Sequence, residues 1–244
     1  MKIMNERARI IAMIPARMGS ERLARKNLAL LAGKPLIAYA VTAAKKAGVF
    51  ERVVINSEHE AFREIAQKYG AEFYKRPARL ATSSAKSDFV VADFMRRIPS
   101  DIVVWVNPIA PLQTAKEIKG AVDYFMTKRL DSLITVVNEQ VHCMYRGRPV
   151  NFSKDEVFAK TQDLMPVQPF VYSVMMWRSR VFMKEFREKR RALFCGRFGV
   201  FPVSRLSAFI IKRPDDLMFA GLAIRAMKRK CRVLYYRPKK RRGD

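Results

Sequence analysis

The feature that most constrains this chain is an apolar run that ends at a proline and leads into a basic loop. Residues 10–14 are all apolar, as in a strand buried on both faces of a sheet, and Pro15 cannot donate to a central ladder. The loop that follows combines small residues with four cations, namely Arg17, Arg22, Arg25 and Lys26. Cations and free backbone N–H groups suit a polyphosphate. An ordinary basic loop on a basic protein is the alternative.

The loop matches neither of the common phosphate motifs. The Gly-x-x-x-x-Gly-Lys spacing of a P-loop is missing, and Gly19 stands alone, so a dinucleotide fingerprint is missing too. Gly19 nevertheless lets the backbone approach a ligand closely. A loop that follows a strand at the edge of an α/β sheet is where nucleotides bind. The sequence therefore predicts a nucleotide site directly after the first strand.

Strand and helix patterns alternate along the chain. Strands are predicted at 10–14, 53–55, 72–74, 102–106, 132–137 and 199–203, and helices at 35–47, 60–69, 87–97, 115–127, 179–190 and 214–230. Gly48 and Gly70 end two of these helices, while Ser87 and Thr114 are predicted N-caps. The βαβαβ order indicates a parallel sheet with right-handed crossovers.

Two segments depart from this pattern. Residues 138–176 lose the helical period and gain prolines, which predicts an excursion from the sheet. Residues 231–244 form a basic tail, for which a solvated segment is expected and a nucleic-acid-binding arm is the alternative. The predicted organisation is a single α/β domain over residues 1–230, with the excursion inside it and the tail after it.

The rare residue types exclude several classes of site. Cys143, Cys195 and Cys231 fit no zinc spacing and no disulfide framework, so reduced thiols are expected. His59 and His142 are far apart in the sequence and belong to no obvious catalytic motif. No apolar stretch approaches the roughly 20 residues of a membrane span, and the first residues lack the apolar centre of a signal peptide. The expected location is the cytoplasm.

The net charge of +26 over 244 residues is the unusual feature of the composition. Such a charge attracts polyanions, whether nucleic acid, an anionic membrane surface, or a nucleoside triphosphate together with an acidic sugar. It exceeds what one active site requires.

Six segments resemble the sugar-acid cytidylyltransferases, the group of the CMP-acylneuraminate and CMP-Kdo synthetases. They occur in the order of that family and extend the resemblance from about residue 9 to about residue 222. The segments are Ile14 to Asn27, Leu31-Ala-Gly-Lys-Pro-Leu-Ile, Val54-Ile-Asn-Ser, Arg76-Pro-Ala-Arg-Leu-Ala, Asn107-Pro-Ile-Ala-Pro-Leu and Gln162-Asp-Leu. The resemblance implies a Rossmann-like nucleotidyltransferase sheet, mainly parallel, and an excursion that packs on a second subunit of a homodimer.

The resemblance also implies roles for the basic loop. Arg17 and Lys26 match the family's loop cations and are assigned to the triphosphate, with Lys26 stabilising the departing pyrophosphate. Backbone N–H groups are expected from Ala16, Gly19 and Ser20, and Asn27 matches a position that contacts the nucleotide. Glu21 stands where many relatives have lysine, and Arg22 could replace that cation.

Further matches concern the base and the sugar. Arg76, Ala85 and Ser87 match positions that hold cytosine and ribose; an arginine and an N–H group can read the acceptors O2 and N3 of cytosine. Asn107 stands in place of a usual glutamine, and Gln162 with Asp163 keeps a family pair in the excursion. The Asn-Gly usually found further on is replaced by Val171-Tyr172, and Ile109-Ala110 replace hydroxyl residues, so the sugar pocket is expected to be altered and drier.

The largest departure concerns Mg²⁺, the cofactor that the family implies. Aligning Asp216-Leu217 with the family places Ile210 and Lys212 where relatives carry metal-binding aspartates. Isoleucine cannot bind Mg²⁺ and lysine repels it. Asp215 and Asp216 lie in a first helical turn, where acidic residues are favoured in any case. No protein ligand is therefore assigned, Mg²⁺ is expected to arrive as the CTP complex, and Lys212 is a candidate catalytic cation.

The leading hypothesis is transfer of CMP from CTP to a 3-deoxy-2-ulosonic acid of the sialic-acid or Kdo type, with release of pyrophosphate. Two alternatives stay open. A non-catalytic relative that binds nucleotide or sugar is suggested by the missing aspartates. A nucleic-acid-binding protein is suggested by the charge and the tail, although no helix-turn-helix, zinc or RNA-recognition signature is present.

Overall fold

A seven-stranded sheet forms the centre of the protein. The computed structural model describes residues 8–229 and 235–236. The strands are β1 (Ile10–Pro15), β2 (Arg52–Ser57), β3 (Glu72–Lys75), β4 (Ile102–Val106), β5 (Ser132–Val136), β6 (Phe170–Arg178) and β7 (Phe198–Pro202). Their order is β7-β5-β6-β4-β1-β2-β3, and β6 alone among them runs antiparallel to its neighbours. The prediction of a mainly parallel α/β sheet is confirmed.

Six helices connect the strands: α1 (Leu36–Ala47), α2 (Ala61–Tyr69), α3 (Ser87–Arg97), α4 (Ala115–Thr127), α5 (Ser179–Lys189) and α6 (Pro214–Lys228). Gly48 and Gly70 end α1 and α2 in the left-handed conformation, as predicted. Thr114 caps α4 through a capping box with Glu117. The N-cap of α3 is Lys86 instead of the predicted Ser87, which is the first helical residue.

Short elements complete the chain. Single turns of 3-10 helix occur at Lys26–Leu28, Ala78–Leu80 and Thr161–Asp163, and small antiparallel pairs join Leu30–Leu31 to Lys34–Pro35 and Met144–Tyr145 to Arg148–Pro149. The predicted tail lies outside the described residues, apart from Tyr235 and Tyr236.

The sheet is buried on both faces by helices. Alternate residues of β1 face opposite sides: Ala12 and Ile14 join α1, α2 and α4, while Ile11 and Met13 join α3 and α5. All four side chains are fully buried. This double burial explains why the run is apolar at every position, since both sides of the strand gain roughly 25 cal/mol per Å² removed from water.

The excursion is shorter than predicted, because β6 already pairs with β5 at Phe170, inside the predicted range 138–176. Residues 138–169 leave the sheet. The pairing of β6 with β5 shifts register between Phe170 and Met175, and Tyr172 has φ 58° there. The ladder is thus interrupted at the start of β6, and residues 173–177 after the interruption are buried at every position.

The parallel strands all end at one edge of the sheet. Loops after β1, β2, β3 and β4 therefore meet there, and they carry most of the residues assigned to the nucleotide.

Candidate active site

A cleft of about 280 Å³ opens where β1 and β4 end. It brings together ten of the predicted site residues: Ala16, Arg17, Ser20, Arg22, Lys26, Asn27, Arg76, Ala85, Ser87 and Asn107. Gly19 lines a depression that shares Arg17 and Ser20 with this cleft. The cleft lining does not include Gln162, Asp163 or Lys212. Its lining contains four cations and a single carboxylate, so an anionic ligand fits its charge.

The basic loop is held by hydrogen bonds to the neighbouring strand. The Ala16 N–H donates to the Asn56 carbonyl at 3.0 Å, and the Met18 N–H donates to Glu58 Oε1 at 2.8 Å. The Ser20 N–H donates to the Met18 carbonyl at 3.0 Å. The prediction that Ala16 and Ser20 offer free N–H groups to a ligand is therefore wrong, because the loop uses both groups to hold its own shape.

Glu58 also connects the loop to Arg76. The Arg76 guanidinium is 5% exposed, and its Nη2 donates to the Ala16 carbonyl at 2.7 Å and to Glu58 Oε2 at 3.5 Å. Burial lowers the pKa of Arg76, and the Glu58 carboxylate opposes that shift. One partly buried carboxylate thus holds both the main chain of the loop and the arginine predicted to read the base.

Lys26 lies in a field of like charges. Its pKa is lowered, first by burial and then by the charges of Arg22, Arg17 and Lys212, with only Asp216 opposing. Lys212 is therefore close enough to act electrostatically on Lys26, although its own side chain is exposed. A bound polyanion would stabilise the charged form of Lys26, because it would offset the charges of the neighbouring cations.

Three buried polar atoms of the cleft lack a partner. Among the described residues, six buried side-chain N or O atoms make no hydrogen bond, and three of them belong to cleft residues: Asn27 Oδ1, Arg76 Nε and Trp105 Nε1. A buried unsatisfied polar atom costs about 1–3 kcal/mol. Their concentration in one cleft indicates a polar ligand that satisfies them.

A helix also points its start at the cleft. Ala85 and Ser87 line it, and α3 begins at Ser87. The partial positive charge at a helix N-terminus adds to the attraction for an anion.

Similar proteins identify the family of this chain. The sequence profile described as "Cytidylyltransferase" matches residues 11–190, about three quarters of the chain. The chain belongs to the cytidylyltransferase family.

Individual members of the family are similar over different lengths. The pseudaminic acid cytidylyltransferase of Campylobacter jejuni is 36% identical over 224 residues, which are 87% of this chain and 94% of that protein. The N-acylneuraminate cytidylyltransferase of Escherichia coli O18:K1:H7 is 37% identical over 122 residues, 50% of this chain. This chain covers 29% of the E. coli protein, so it is similar to only a part of that relative.

The solved structure of CMP:2-keto-3-deoxy-manno-octonic acid synthetase complexed with CTP has the same fold. It aligns with a TM-score of 0.68 at 14% identity and covers 91% of this chain and all of that one. The Rossmann-like cytidylyltransferase fold predicted from the resemblance is confirmed.

The family generally uses a divalent metal, yet the residues of this chain do not fit one. Ile210 packs with an apolar cluster of Val137, Val171 and Val203. Asp216 Oδ2 accepts from the N–H groups of Lys212 and Arg213 at 2.7 and 2.8 Å, and so serves as a helix cap. Among residues 8–229, no three His, Cys, Asp or Glu side chains come together as a metal site.

The end of the cleft beyond the nucleotide loop is formed by Asn107. Its Nδ2 donates to the Tyr172 carbonyl at 3.1 Å, and its Oδ1 accepts from the Ile109 N–H at 3.4 Å. Asn107 therefore braces two loops in addition to facing the cleft. Ile109 and Trp105 line the cleft next to Asn107.

Gln162 and Asp163 are exposed in the excursion and lie apart from the cleft of their own chain. Asp163 lines a separate cavity of about 210 Å³ together with His142. Within one copy, the structure thus does not bring this predicted pair to the nucleotide site.

Sequence reasoning missed Glu58 and Trp105. Glu58 directly follows Asn56-Ser57 at the end of β2, where a carboxylate facing a basic loop is a usable signal. Trp105 lies within the apolar run of β4 and gave no such signal, because an indole in a buried strand is normally part of the core.

Proposed function

We propose that this protein transfers CMP from CTP to a 3-deoxy-2-ulosonic sugar acid and releases pyrophosphate. The observation that carries the proposal is the coincidence of four cations with three unpartnered buried polar atoms in one cleft. The charges suit the triphosphate, and the unpartnered atoms suit the polar edge of a base and a ribose. The names of the relatives, which cite sialic and pseudaminic acids, support an acidic sugar as acceptor.

In the proposed reaction the anomeric hydroxyl oxygen attacks the α-phosphorus of CTP. The new phosphorus–oxygen bond forms as the bond to the bridging oxygen of pyrophosphate breaks, and the electron pair leaves with pyrophosphate. The hydroxyl proton passes to solvent. Because charge grows on the departing phosphates, catalysis consists mainly of positioning and electrostatic stabilisation. We assign Arg17 and Lys26 to these phosphates, and Lys212 to the edge of the same field.

The base is assigned to the other wall of the cleft. Arg76 keeps its Nε free while Nη2 holds the loop, so Nε is available to an acceptor of cytosine. Asn27 Oδ1 is a buried acceptor. It would take a hydrogen bond from a nucleotide hydroxyl. The start of α3, with Ala85 and Ser87, would hold the ribose.

Mg²⁺ is proposed to come bound to CTP, held by phosphate oxygens and water, which this ion tolerates. We assign no protein ligand to it, since neither Ile210 nor Lys212 can ligate a cation and Asp216 already caps α6.

The active unit is proposed to be a cytoplasmic homodimer in which the excursion of one copy completes the cleft of the other. Gln162 and Asp163 would then contact the sugar acid bound by the partner. The excursion carries exposed apolar side chains that a second copy would cover: Met144, Tyr145, Val150, Val157, Phe158 and Met165.

Complementation tests this arrangement. Lys26→Ala impairs the cleft and Asp163→Ala impairs the excursion, so each variant alone should lose most activity. Mixed in equal amounts under exchange conditions, they should recover about one quarter of the wild-type sites, because half of the dimers then contain one intact composite site. No recovery, with exchange verified by mass, would contradict the shared site.

The function itself is tested by pyrophosphate release from CTP with a panel of sialic-acid-like and Kdo-like sugar acids. Isothermal titration with CTP, UTP, ATP and GTP tests the nucleotide. We expect CTP to bind most tightly and one or more sugar acids to release pyrophosphate. Equal or tighter binding of a purine nucleotide would overturn the assignment of the cleft to cytosine.

A non-catalytic relative is the second candidate, favoured by the apolar environment of Ile210. It predicts tight CTP binding without pyrophosphate release from any sugar acid. If pyrophosphate is released only after aspartates replace both Ile210 and Lys212, the wild-type protein is the non-catalytic relative.

A further inference from the structure

A second cavity lies outside the nucleotide cleft, between α1 and the start of α4. Its volume is about 250 Å³. Its walls come from α1, from Lys34 shortly before that helix, and from the segment 111–115 that leads into α4. None of these lining residues lines the cleft. The chemistry proposed for the cleft therefore makes no use of this cavity.

Gln113 places a buried acceptor in the wall of the cavity. The residue is 6% exposed, and its Nε2 donates to Glu117 Oε2 at 3.2 Å. Because an ionised carboxylate only accepts hydrogen bonds, this contact fixes the orientation of the amide and leaves Oε1 as its acceptor. Oε1 is buried and has no partner among the described residues. A buried acceptor without a partner is costly, so a ligand that donates a hydrogen bond to Oε1 would be stabilised here.

The charge of the cavity is positive. Lys34 and Lys46 are exposed residues of its lining, and neither forms an ion pair with a described residue. α4 begins at Ala115 in the same lining, so the partial positive charge of its N-terminus adds to that of the two ammonium groups. The described lining contains no acidic residue. An anionic ligand therefore fits the charge.

The other polar side chains of the lining are already engaged. The hydroxyl groups of Tyr39 and Thr42 donate to the carbonyls of Leu31 and Ala38, each at 2.7 Å. The donors left for an anion are thus the two ammonium groups, and the acceptor left for a donor is Gln113 Oε1. A phosphate monoester with a hydroxyl group meets both requirements. Its phosphate is largely dianionic above pH 7, because its second pKa is about 6, and its hydroxyl can donate to the amide.

Main-chain hydrogen bonds connect the cavity to Asn107 in the cleft. The Gln113 N–H donates to the Ala110 carbonyl, and the Ala110 N–H donates to the Asn107 carbonyl, both at 3.2 Å. Asn107 lines the cleft. A ligand that holds Gln113 therefore acts on a loop that ends at the nucleotide site.

A second series of hydrogen bonds connects the cavity to Lys26. The Ala29 N–H donates to the Lys26 carbonyl at 3.0 Å, and the Leu36 N–H donates to the Ala29 carbonyl at 2.9 Å. Leu36 is the first residue of α1, and the following turns of this helix line the cavity. A ligand that contacts both α1 and Gln113 would therefore order two segments of the cleft at once, which favours binding of the nucleotide.

We propose that this cavity is a regulatory site for a small phosphate monoester that carries a hydroxyl group, and that its occupation raises the affinity of the cleft for CTP. Lys34 and Lys46 pair with the phosphate, and Gln113 Oε1 accepts from the hydroxyl. The ligand binds and dissociates unchanged. The site itself stands independently of the reaction, whereas its effect on the cleft rests on the proposed binding of CTP.

Isothermal titration of the full chain with three probes tests the site. Glycerol 3-phosphate carries both groups, propyl phosphate lacks the hydroxyls, and glycerol lacks the charge. The protein is saturated with CTP, so that the cleft cannot take up the probe. We expect glycerol 3-phosphate to bind, propyl phosphate to bind roughly tenfold more weakly, and glycerol not to bind measurably. In the reverse titration, saturating glycerol 3-phosphate should tighten CTP binding about fivefold.

A variant with a disabled cleft makes the test of the site independent of CTP. Arg17→Ala/Lys26→Ala removes two of the cations of the cleft, and glycerol 3-phosphate should bind to this variant as it binds to the wild type. If the wild type did not bind CTP, the proposed function would fail, while this arm would still report on the cavity.

Gln113→Leu separates the hydroxyl contact from the charge. It removes Oε1, while Glu117 keeps the hydroxyl groups of Thr114 and Ser207 as donors. The variant should bind glycerol 3-phosphate and propyl phosphate equally, and propyl phosphate as the wild type does. Its CTP affinity without a probe should stay unchanged, because Gln113 does not line the cleft. Cooperative urea unfolding checks the fold of each variant.

Two matched double variants test the charge. Lys34→Gln/Lys46→Gln should bind both phosphates roughly tenfold more weakly. Lys68→Gln/Lys128→Gln loses the same charge from exposed positions outside the lining, and it should bind as the wild type.

Four results would overturn the proposal. The first is equal binding of glycerol 3-phosphate and propyl phosphate by the wild type, or a preference that survives Gln113→Leu. The second is equal weakening in the two double lysine variants, which would reduce the effect to net charge. The third is loss of glycerol 3-phosphate binding in the variant with the disabled cleft, which would place the probe in the cleft. The fourth is a CTP affinity that saturating glycerol 3-phosphate leaves unchanged.

Discussion

Glu58 is predicted to hold the nucleotide loop without touching the reacting atoms. Replacing it by alanine removes the acceptor of the Met18 N–H bond at 2.8 Å, and hydrogen bonds to charged groups are worth about 1.5–3 kcal/mol. It also removes the carboxylate beside the buried Arg76, which keeps only the Ala16 carbonyl. Together these losses should lower the free energy of unfolding by about 2–4 kcal/mol. With the loop released, we expect CTP affinity to fall at least tenfold, or about 1.4 kcal/mol.

Urea unfolding and CTP titration measure the two effects on the same samples. Glu60→Ala is the matched control, because this carboxylate lies two positions away and, among the described residues, forms ion pairs with exposed Arg63 and Lys75 only. Glu58→Gln should fall between the wild type and Glu58→Ala, since an amide oxygen can still accept from Met18. If Glu58→Ala binds CTP and resists urea as Glu60→Ala does, the loop is held by other contacts and the reasoning is wrong.

Three further outcomes follow from the charges and the burial. The lowered pKa of Lys26 predicts that CTP affinity decreases as the pH rises, before the ordinary lysine range is reached, because the ammonium loses its proton early. In the Lys26→Arg variant, CTP titrations should show this decrease at higher pH. An unchanged pH profile would contradict the role of Lys26. Lys212→Ala should reduce pyrophosphate release sharply across a Mg²⁺ titration, whereas Lys128→Ala should not, and full activity of the former would point to other groups. Burial raises the pKa of Cys195 to about 12, so its thiol should resist iodoacetamide at pH 8 until the protein unfolds, as mapped by mass spectrometry.

Much of the architecture could be predicted from the sequence because local rules agree with tertiary packing there. The run at 10–14 is apolar throughout since helices cover both sides of the sheet, and Gly48 and Gly70 end helices in the left-handed conformation. Thr114 caps α4 because Glu117 completes the capping box. In each case the residues that determine the element lie within one short segment of the sequence.

Prediction failed where the reason lies in another segment. Whether the N–H of Ala16 is free depends on the Asn56 carbonyl of a neighbouring strand, which the loop sequence does not reveal. Glu58 gains its role from Met18 and Arg76, forty and eighteen positions away. The start of β6 was missed because Tyr172 takes a positive φ in an irregular stretch of pairing.

Two of the departures from the family pattern that the resemblance implies lie in one cluster of the structure. Val171 stands in place of a usual asparagine and Ile210 in place of a usual aspartate, and both belong to one apolar cluster with Val137 and Val203. A carboxylate introduced at position 210 alone would lie half-buried against valines, where an unpaired charge is costly. Val171 and Ile210 therefore pack together, and each suits the apolar surroundings of the other. The cleft, in contrast, keeps Arg17 and Lys26, the cations that the resemblance assigns to the triphosphate.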